Sequence, residues 1–168
     1  MLLDRFRIDD RVAIVTAAGR GIGAASALAL AECGADVVIA ARTADQLDEV
    51  AAQVKDRGRR AVVVAADLSD LDAVTGLVDT ALAEFGRLDV VVNNVGGSMP
   101  MPFADTDVKT FEGAFHFNVS TAFALTRAAL PTCSSRATAR WSTSRRRWGA
   151  SATVGTWPTA PPRPRSRT

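Results

Sequence analysis

The stretch Thr16-Ala-Ala-Gly-Arg-Gly-Ile-Gly23 constrains this chain more than any other, because of what stands on either side of it. Before it runs Val12 to Val15, an apolar and mostly β-branched segment short enough for a strand buried on both faces. After it an alanine-rich segment reads as a helix that stops at Gly34, a residue suited to a left-handed helix end. Strand, glycine turn and helix in that order bring backbone N–H groups and a helix N-terminus to one point, where a pyrophosphate can sit. Glycine lets the backbone turn tightly there and approach a phosphate with no Cβ in the way. A βα corner that is merely glycine-rich is the alternative reading of this stretch taken alone.

The pattern repeats along the chain. Asp36 to Ala41 reads as a second buried strand, and Thr43 with Gln46 as a capping box. Leu47, Val50, Ala51 and Val54 then form one helical face that ends near Gly58. Ala61 to Ala66 is a third strand, closing on Asp67-Leu68, and Ser69 is placed to cap the next helix. That helix shows Val74, Leu77, Val78, Ala81, Leu82 and Phe85 on one face and stops at Gly86. Leu88 to Val92 is a fourth strand, followed by Asn93-Asn-Val-Gly-Gly97. Past Pro100 and Pro102 a long helix is expected from about Asp107 to Leu130, with Asp105 and Asp107 as helix-start acids. About four strands alternating with helices specify an α/β fold: a Rossmann-like, doubly wound parallel sheet with right-handed crossovers. Ligands bind such sheets at the carboxyl ends of the strands, where all of the unusual residues fall.

Those residues carry a resemblance. Thr16 to Gly23 is similar to the Thr-Gly-x-x-x-Gly-x-Gly fingerprint of the short-chain dehydrogenases/reductases. Asp67-Leu68 resembles that family's adenine-contacting pair, and Asn93-Asn-Val-Gly96 its Asn-Asn-Ala-Gly motif after the fourth strand. Asn118 matches the helix asparagine that holds a water in the family's proton relay. The motifs occur in order over residues 10–131. The resemblance implies hydride transfer between a nicotinamide and an alcohol or ketone, such as a hydroxysteroid, a 3-oxoacyl thioester or another secondary alcohol. It makes Thr16, Gly19, Arg20, Gly21, Ile22, Gly23, Arg42, Asp67, Leu68, Asn94 and Gly96 the expected cofactor-binding residues. Asn118 is the surviving catalytic one. His116, the only histidine, sits mid-helix near aromatic neighbours and reads as packing or surface rather than catalysis.

Two features refine the cofactor. An NAD-binding unit usually carries an acid about 20 residues after the glycines, on the ribose 2′-OH. That place falls near Ala41, which is neutral, and Arg42 follows. With Arg20 in the loop, two guanidinium groups can converge on a 2′-phosphate, so NADP(H) is expected in preference to NAD(H). The bland alternative is that either arginine is a solvated surface charge. Ala17 departs from the fingerprint, since the family has glycine there. If that position requires a positive φ, Ala17 is strained by about 1–3 kcal/mol.

From Thr132 the chain changes character. Up to Pro131 it holds 12 basic and 18 acidic residues, and afterwards eight arginines and no acid. Residues 132–168 contain all three tryptophans, four prolines and one valine, with no Ile, Leu, Met or Phe. Such a segment is expected to stay disordered, which sets the organisation as a partial NAD(P)-binding domain over 1–131 and a basic tail over 132–168. The family's catalytic Ser and Tyr-x-x-x-Lys belong in this region, yet the chain has no tyrosine and its last lysine is Lys109. A vocabulary of Arg, Ala, Pro, Ser, Thr, Gly and Trp is what G+C-rich DNA yields out of frame. Reading one base earlier, Trp141-Ser-Thr-Ser-Arg-Arg146 is compatible with Val-Val-Asn-Ile-Ser-Ser. Pro158-Thr-Ala-Pro-Pro-Arg163 is compatible with Ala-Tyr-Gly-Thr-Ala-Lys. Both missing motifs return in order from a single shift near Pro131–Thr132. The chain as written is therefore expected to lack dehydrogenase activity.

Cys33 and Cys133 fit neither a disulfide nor a metal spacing, no apolar run reaches the ~18 residues of a membrane span, and no signal-peptide pattern opens the chain. A reducing cytoplasm, no membrane, no nucleic acid and no metal are expected. The partner of the intact parent is a small-molecule alcohol or ketone, and the resemblance implies a homo-oligomer whose assembly suffers in this chain. Two other readings remain: a non-catalytic dinucleotide-binding module, and nucleic-acid binding through the arginines and tryptophans of the tail, which no nucleic-acid-binding fold accompanies.

Overall fold

The computed structural model describes residues 6–98, 100–134 and 140–143. A parallel sheet is built from β1 (Val12–Thr16), β2 (Asp36–Ala41), β3 (Ala61–Ala65), β4 (Val90–Asn93) and β5 (Arg140–Thr143), in the order β3-β2-β1-β4-β5. The helices α1 (Gly21–Glu32), α2 (Ala44–Asp56), α3 (Leu71–Phe85), α4 (Val108–Phe115) and α5 (Thr121–Ser134) flank it.

The strands are continuous apolar runs because both faces of the sheet are covered. Side chains alternate along each strand, which assigns them to two cores. Val12, Ile14, Val38, Ala40 and Val91 pack with Val74, Leu77, Val78 and Ala81 of α3 and Leu125 and Ala129 of α5. Ala13, Val15, Val37, Ile39 and Val92 pack instead with Ala27 and Ala31 of α1 and Leu47, Val50, Ala51 and Val54 of α2. The face of α1 toward the sheet is small: Gly23, Ala27 and Ala31 are its buried residues, four apart, so the helix lies close over the strands.

The sequence reading holds for the doubly wound parallel sheet and its first four strands. The sheet differs in having a fifth strand, Arg140–Thr143, paired in parallel with β4. It falls inside the segment expected to be disordered, and α5 also crosses position 131, with Pro131 inside it. The rest of the tail, including the slots of Thr159 and Arg163, lies outside the described residues. The expected long helix is one run of chain, but a π-helical turn over His116–Ser120 separates α4 from α5. Two caps also differ. Thr43 precedes α2 without a side-chain capping bond, so the box with Gln46 does not form. Asp70, not Ser69, caps α3, its carboxylate accepting from the Asp72 N–H at 2.9 Å.

At the opposite end of the sheet from the glycine turn, the buried Asp89 carboxylate ties β4 to β1. It accepts from the Val12 N–H at 3.0 Å, from Arg11 at 3.0 Å and from Arg87 at 2.6 and 2.7 Å. Burial pushes its pKa up, but these donors outweigh that and hold it below the ordinary carboxylate value.

Candidate functional site: a cleft at the carboxyl ends of the strands

A cleft of about 340 Å³ opens where β1, β2, β3 and β4 end. Its wall takes Ala17, Gly19 and Arg20 from the glycine turn, Ala41, Arg42, Thr43 and Gln46 from the β2–α2 connection, and Asp67 and Leu68 from the end of β3. Val95, Gly96 and Phe117 close the remaining side. Of the expected binding residues, Gly19, Arg20, Arg42, Asp67, Leu68 and Gly96 are thereby brought to one cavity.

Thr16, Gly23 and Asn94 do not line the cleft; they hold its floor. The Thr16 hydroxyl donates to the Val92 carbonyl at 3.2 Å and accepts from the N–H groups of Asn94 at 2.9 Å and Val95 at 3.2 Å. The Asn94 side-chain amide donates to the Ala17 carbonyl at 3.2 Å. A Cβ at Gly23 runs into that same carbonyl and that same amide, so α1 can begin this close to the turn only with glycine. Gly21, at φ +59°, begins α1, and Ile22 beside it is exposed; neither belongs to the cleft wall.

Ala17 itself has φ +52°, the left-handed region that favours glycine. The condition set on the sequence is met, and this residue is strained.

Arg20 of the glycine turn and Arg42 after β2 both line the cleft, as does the neutral Ala41. Asp67 is the acid of the wall. The Ser69 backbone N–H, at 3.0 Å, and the Ser69 hydroxyl hold its pKa below the usual value, and the charge of Arg42 adds to this. A cavity lined by two guanidinium groups, with Gly19 and Arg20 leading into the N-terminus of α1, can take the phosphates of a dinucleotide.

Asn118 stands on the π-helical turn rather than on a regular helix. Its side-chain carbonyl accepts from the Gly97 N–H at 2.9 Å, while its amide donates to the carbonyls of Gly97 at 3.0 Å and Ala114 at 2.7 Å. A Cβ at Gly96 would stand 2.8 Å from the Asn118 side-chain oxygen, which is why a glycine follows Val95. The His116 Nε2 lies 2.8 Å from the Ser69 carbonyl oxygen. Sequence reasoning missed Thr43, Gln46, Val95 and Phe117 as wall residues. The first two were read as a cap, and Phe117 carries no signal beyond standing next to Asn118.

A parallel sheet with a glycine turn after β1 and a polar cleft at its carboxyl edge defines a dinucleotide-binding α/β domain. Comparison with known proteins narrows the class. The short chain dehydrogenase family matches residues 11–140. An uncharacterized oxidoreductase of Mycobacterium tuberculosis is 55% identical over 131 residues, which is 78% of this chain and 50% of the relative. The solved structure of a 7α-hydroxysteroid dehydrogenase complexed with NADH and 7-oxo glycochenodeoxycholic acid superposes with a TM-score of 0.73 at 34% identity, over 77% of this chain and 50% of that one. A short chain dehydrogenase from Burkholderia cenocepacia in complex with NADP superposes with a TM-score of 0.72 at 35% identity, over 75% and 52%. This chain belongs to the short chain dehydrogenase family of oxidoreductases. It spans about half the length of the curated relatives it matches.

Proposed function

We propose that the cleft binds a nicotinamide dinucleotide and prefers NADP(H) to NAD(H). The observation that carries this is that Arg20 and Arg42 both line the cleft, with neutral Ala41 where an NAD-binding unit presents an acid. Two guanidinium groups there favour a ligand with an added phosphate dianion and leave a bare 2′-hydroxyl without its usual carboxylate partner. Asp67 and Leu68 are assigned to the adenine, and Gly19, Gly21, Ile22 and Gly23 to the pyrophosphate approach. Thr16, Asn94 and Gly96 are assigned to holding the turn and the loop after β4 in place. Protection against thermal unfolding by NADPH tests the site; an unchanged melting curve at saturating NADPH contradicts it.

When bound, the nicotinamide supplies or accepts the hydride of an alcohol–ketone interconversion. The chain's own contribution near that chemistry is Asn118, whose side-chain amide is fully engaged with Gly97 and Ala114. Its proposed role in a proton relay therefore rests on its oxygen and on the local π-helical backbone. The substrate proposed for an intact parent is a small-molecule secondary alcohol or ketone.

We infer that residues 132–168 are the parent sequence read one base out of frame, and that the polypeptide as written transfers no hydride. The absence of tyrosine and of any lysine after Lys109 supports this, as does the return of Ser, Tyr and Lys under one shift. The position of β5 adds to it: the shifted reading places its apolar Val-Val-Asn-Ile segment at positions 141–144, overlapping Arg140–Thr143. The nucleotide sequence tests the idea, since lack of Ser, Tyr and Lys codons in the slots of Arg146, Thr159 and Arg163 rules it out.

Homo-oligomeric assembly of the parent is proposed through the long helical run, where Val108, Phe111, Phe115, Val119 and Phe123 form an exposed apolar stripe. Among the described residues no helix is long and apolar enough to cross a membrane, and the Cys33 thiol is free, which fits the cytoplasm.

A further inference from the structure

The π-helical turn borders the cleft through Phe117, and three successive residues of it make three different contacts. Phe117 is itself part of the wall. Asn118 holds the Gly97 backbone through both ends of its amide. His116 reaches the other way, across 47 positions of sequence, to the Ser69 carbonyl at 2.8 Å. The segment it meets is the one that places Asp67 and Leu68 in the cleft. That segment is a short turn, with the Ser69 N–H bonded to the Asp67 carboxylate and the Asp70 N–H to the Asp67 carbonyl at 3.2 Å. Both bonds are local; Leu68 seats one side of the turn in the core and the Ala66 N–H bonds to the Ala41 carbonyl at 3.0 Å, while the Ser69 carbonyl on the other side is held by His116.

We propose that His116 is a positioning residue for the adenosine end of the cleft, acting through Ser69. The inference rests on the dinucleotide reading given above. The donor is the Nε2–H, with the Ser69 carbonyl as acceptor, and the imidazole ring stays out of the chemistry. The tether joins the loop after β3 to the turn that also secures the loop after β4. One turn thus sets the spacing of the two loops between which an adenosine lies. Without it the Asp67–Asp70 turn keeps its internal shape and its Leu68 contact with the core but loses the anchor on its Ser69 side, so ligand must order that side on binding. A side chain-to-backbone bond of this kind corresponds to roughly a three- to tenfold change in affinity.

Two variants of the full chain test it. His116→Phe keeps an aromatic ring and removes the donor; His116→Gln replaces the ring with an amide that can still donate to a carbonyl. The dissociation constants of NADPH and of 2′,5′-ADP are measured by titration calorimetry, and amide hydrogen exchange is followed over residues 66–70. The expected result is three- to tenfold weaker binding of both ligands by His116→Phe, faster exchange in that segment, and recovery of both by His116→Gln. If the unsubstituted chain binds NADPH and His116→Phe binds it equally well, with unchanged exchange over 66–70, the tether has no positioning role. If the unsubstituted chain binds neither ligand, the dinucleotide reading falls and this inference with it.

Discussion

The Asn94 side-chain amide donates to the carbonyl oxygen of Ala17 at 3.2 Å, and Ala17 sits at φ +52°. A residue after β4 thus pins the backbone of a strained residue after β1. The carbonyl it holds is the one against which Gly23 packs at the start of α1. Strain persists where neighbours over-determine it; here Gly23 and Asn94 both meet the Ala17 carbonyl, and the Thr16 hydroxyl holds the backbone of Asn94.

Ala17→Gly restores the residue that the turn geometry favours. The left-handed backbone then carries no Cβ penalty, and the substitution is expected to stabilise the fold by about 1 kcal/mol. Urea unfolding monitored by circular dichroism reads this as a higher midpoint with an unchanged slope. A lower midpoint contradicts the assignment of strain to Ala17.

Gly23→Ala has the opposite sign. The added methyl meets the Ala17 backbone carbonyl and the Asn94 side-chain amide bonded to it, so α1 must move off the sheet. Destabilisation of about 2–3 kcal/mol is expected, with loss of NADPH protection. Gly21→Ala separates the two effects: a Cβ there meets nothing, so only the backbone penalty of φ +59° remains.

Much of this architecture was legible in the sequence, for a physical reason. Strands covered on both faces must be continuous apolar runs, and Val12–Val15, Asp36–Ala41 and Ala61–Ala65 are such runs between clear stops. The caps were harder. Ser69 and Asp70 are adjacent and both accept backbone N–H bonds well, so sequence cannot choose between them; the Asp70 carboxylate takes the Asp72 N–H. Thr43 and Gln46 have capping-box spacing, but the fold turns them into cleft wall. The π-helical turn had no local signal, because what surrounds it is tertiary: Asn118 on Gly97 and His116 on Ser69. The strand at Arg140–Thr143 carries no apolar run and no alternation, so its residues as written give no signal of it; only the shifted reading of Trp141 to Arg146 does.

Asp89 gives the domain a pH dependence at its other end. Its pKa is held below the unfolded value, so its contribution is fully present above about pH 4 and is lost as pH falls through the lower folded value. Asp89→Asn leaves Arg11 and Arg87 without their carboxylate and is expected to cost about 2–3 kcal/mol at pH 7. The same variant loses less stability than the parent between pH 5 and 3. Parallel stability curves for the two across that window contradict the role given to the Arg11–Asp89–Arg87 cluster.

The central claim is that this cleft is a dinucleotide site tuned by Arg20 and Arg42. Its most direct test is the ratio of dissociation constants for NADH and NADPH, measured by cofactor fluorescence on the chain itself and on the Arg20→Ala/Arg42→Ala double variant. NADPH is expected to bind about ten- to a hundredfold more tightly than NADH, and the double variant to bring the two within about twofold by weakening NADPH alone. Equal affinities in the unsubstituted chain, or a preference for NADH, contradict the claim.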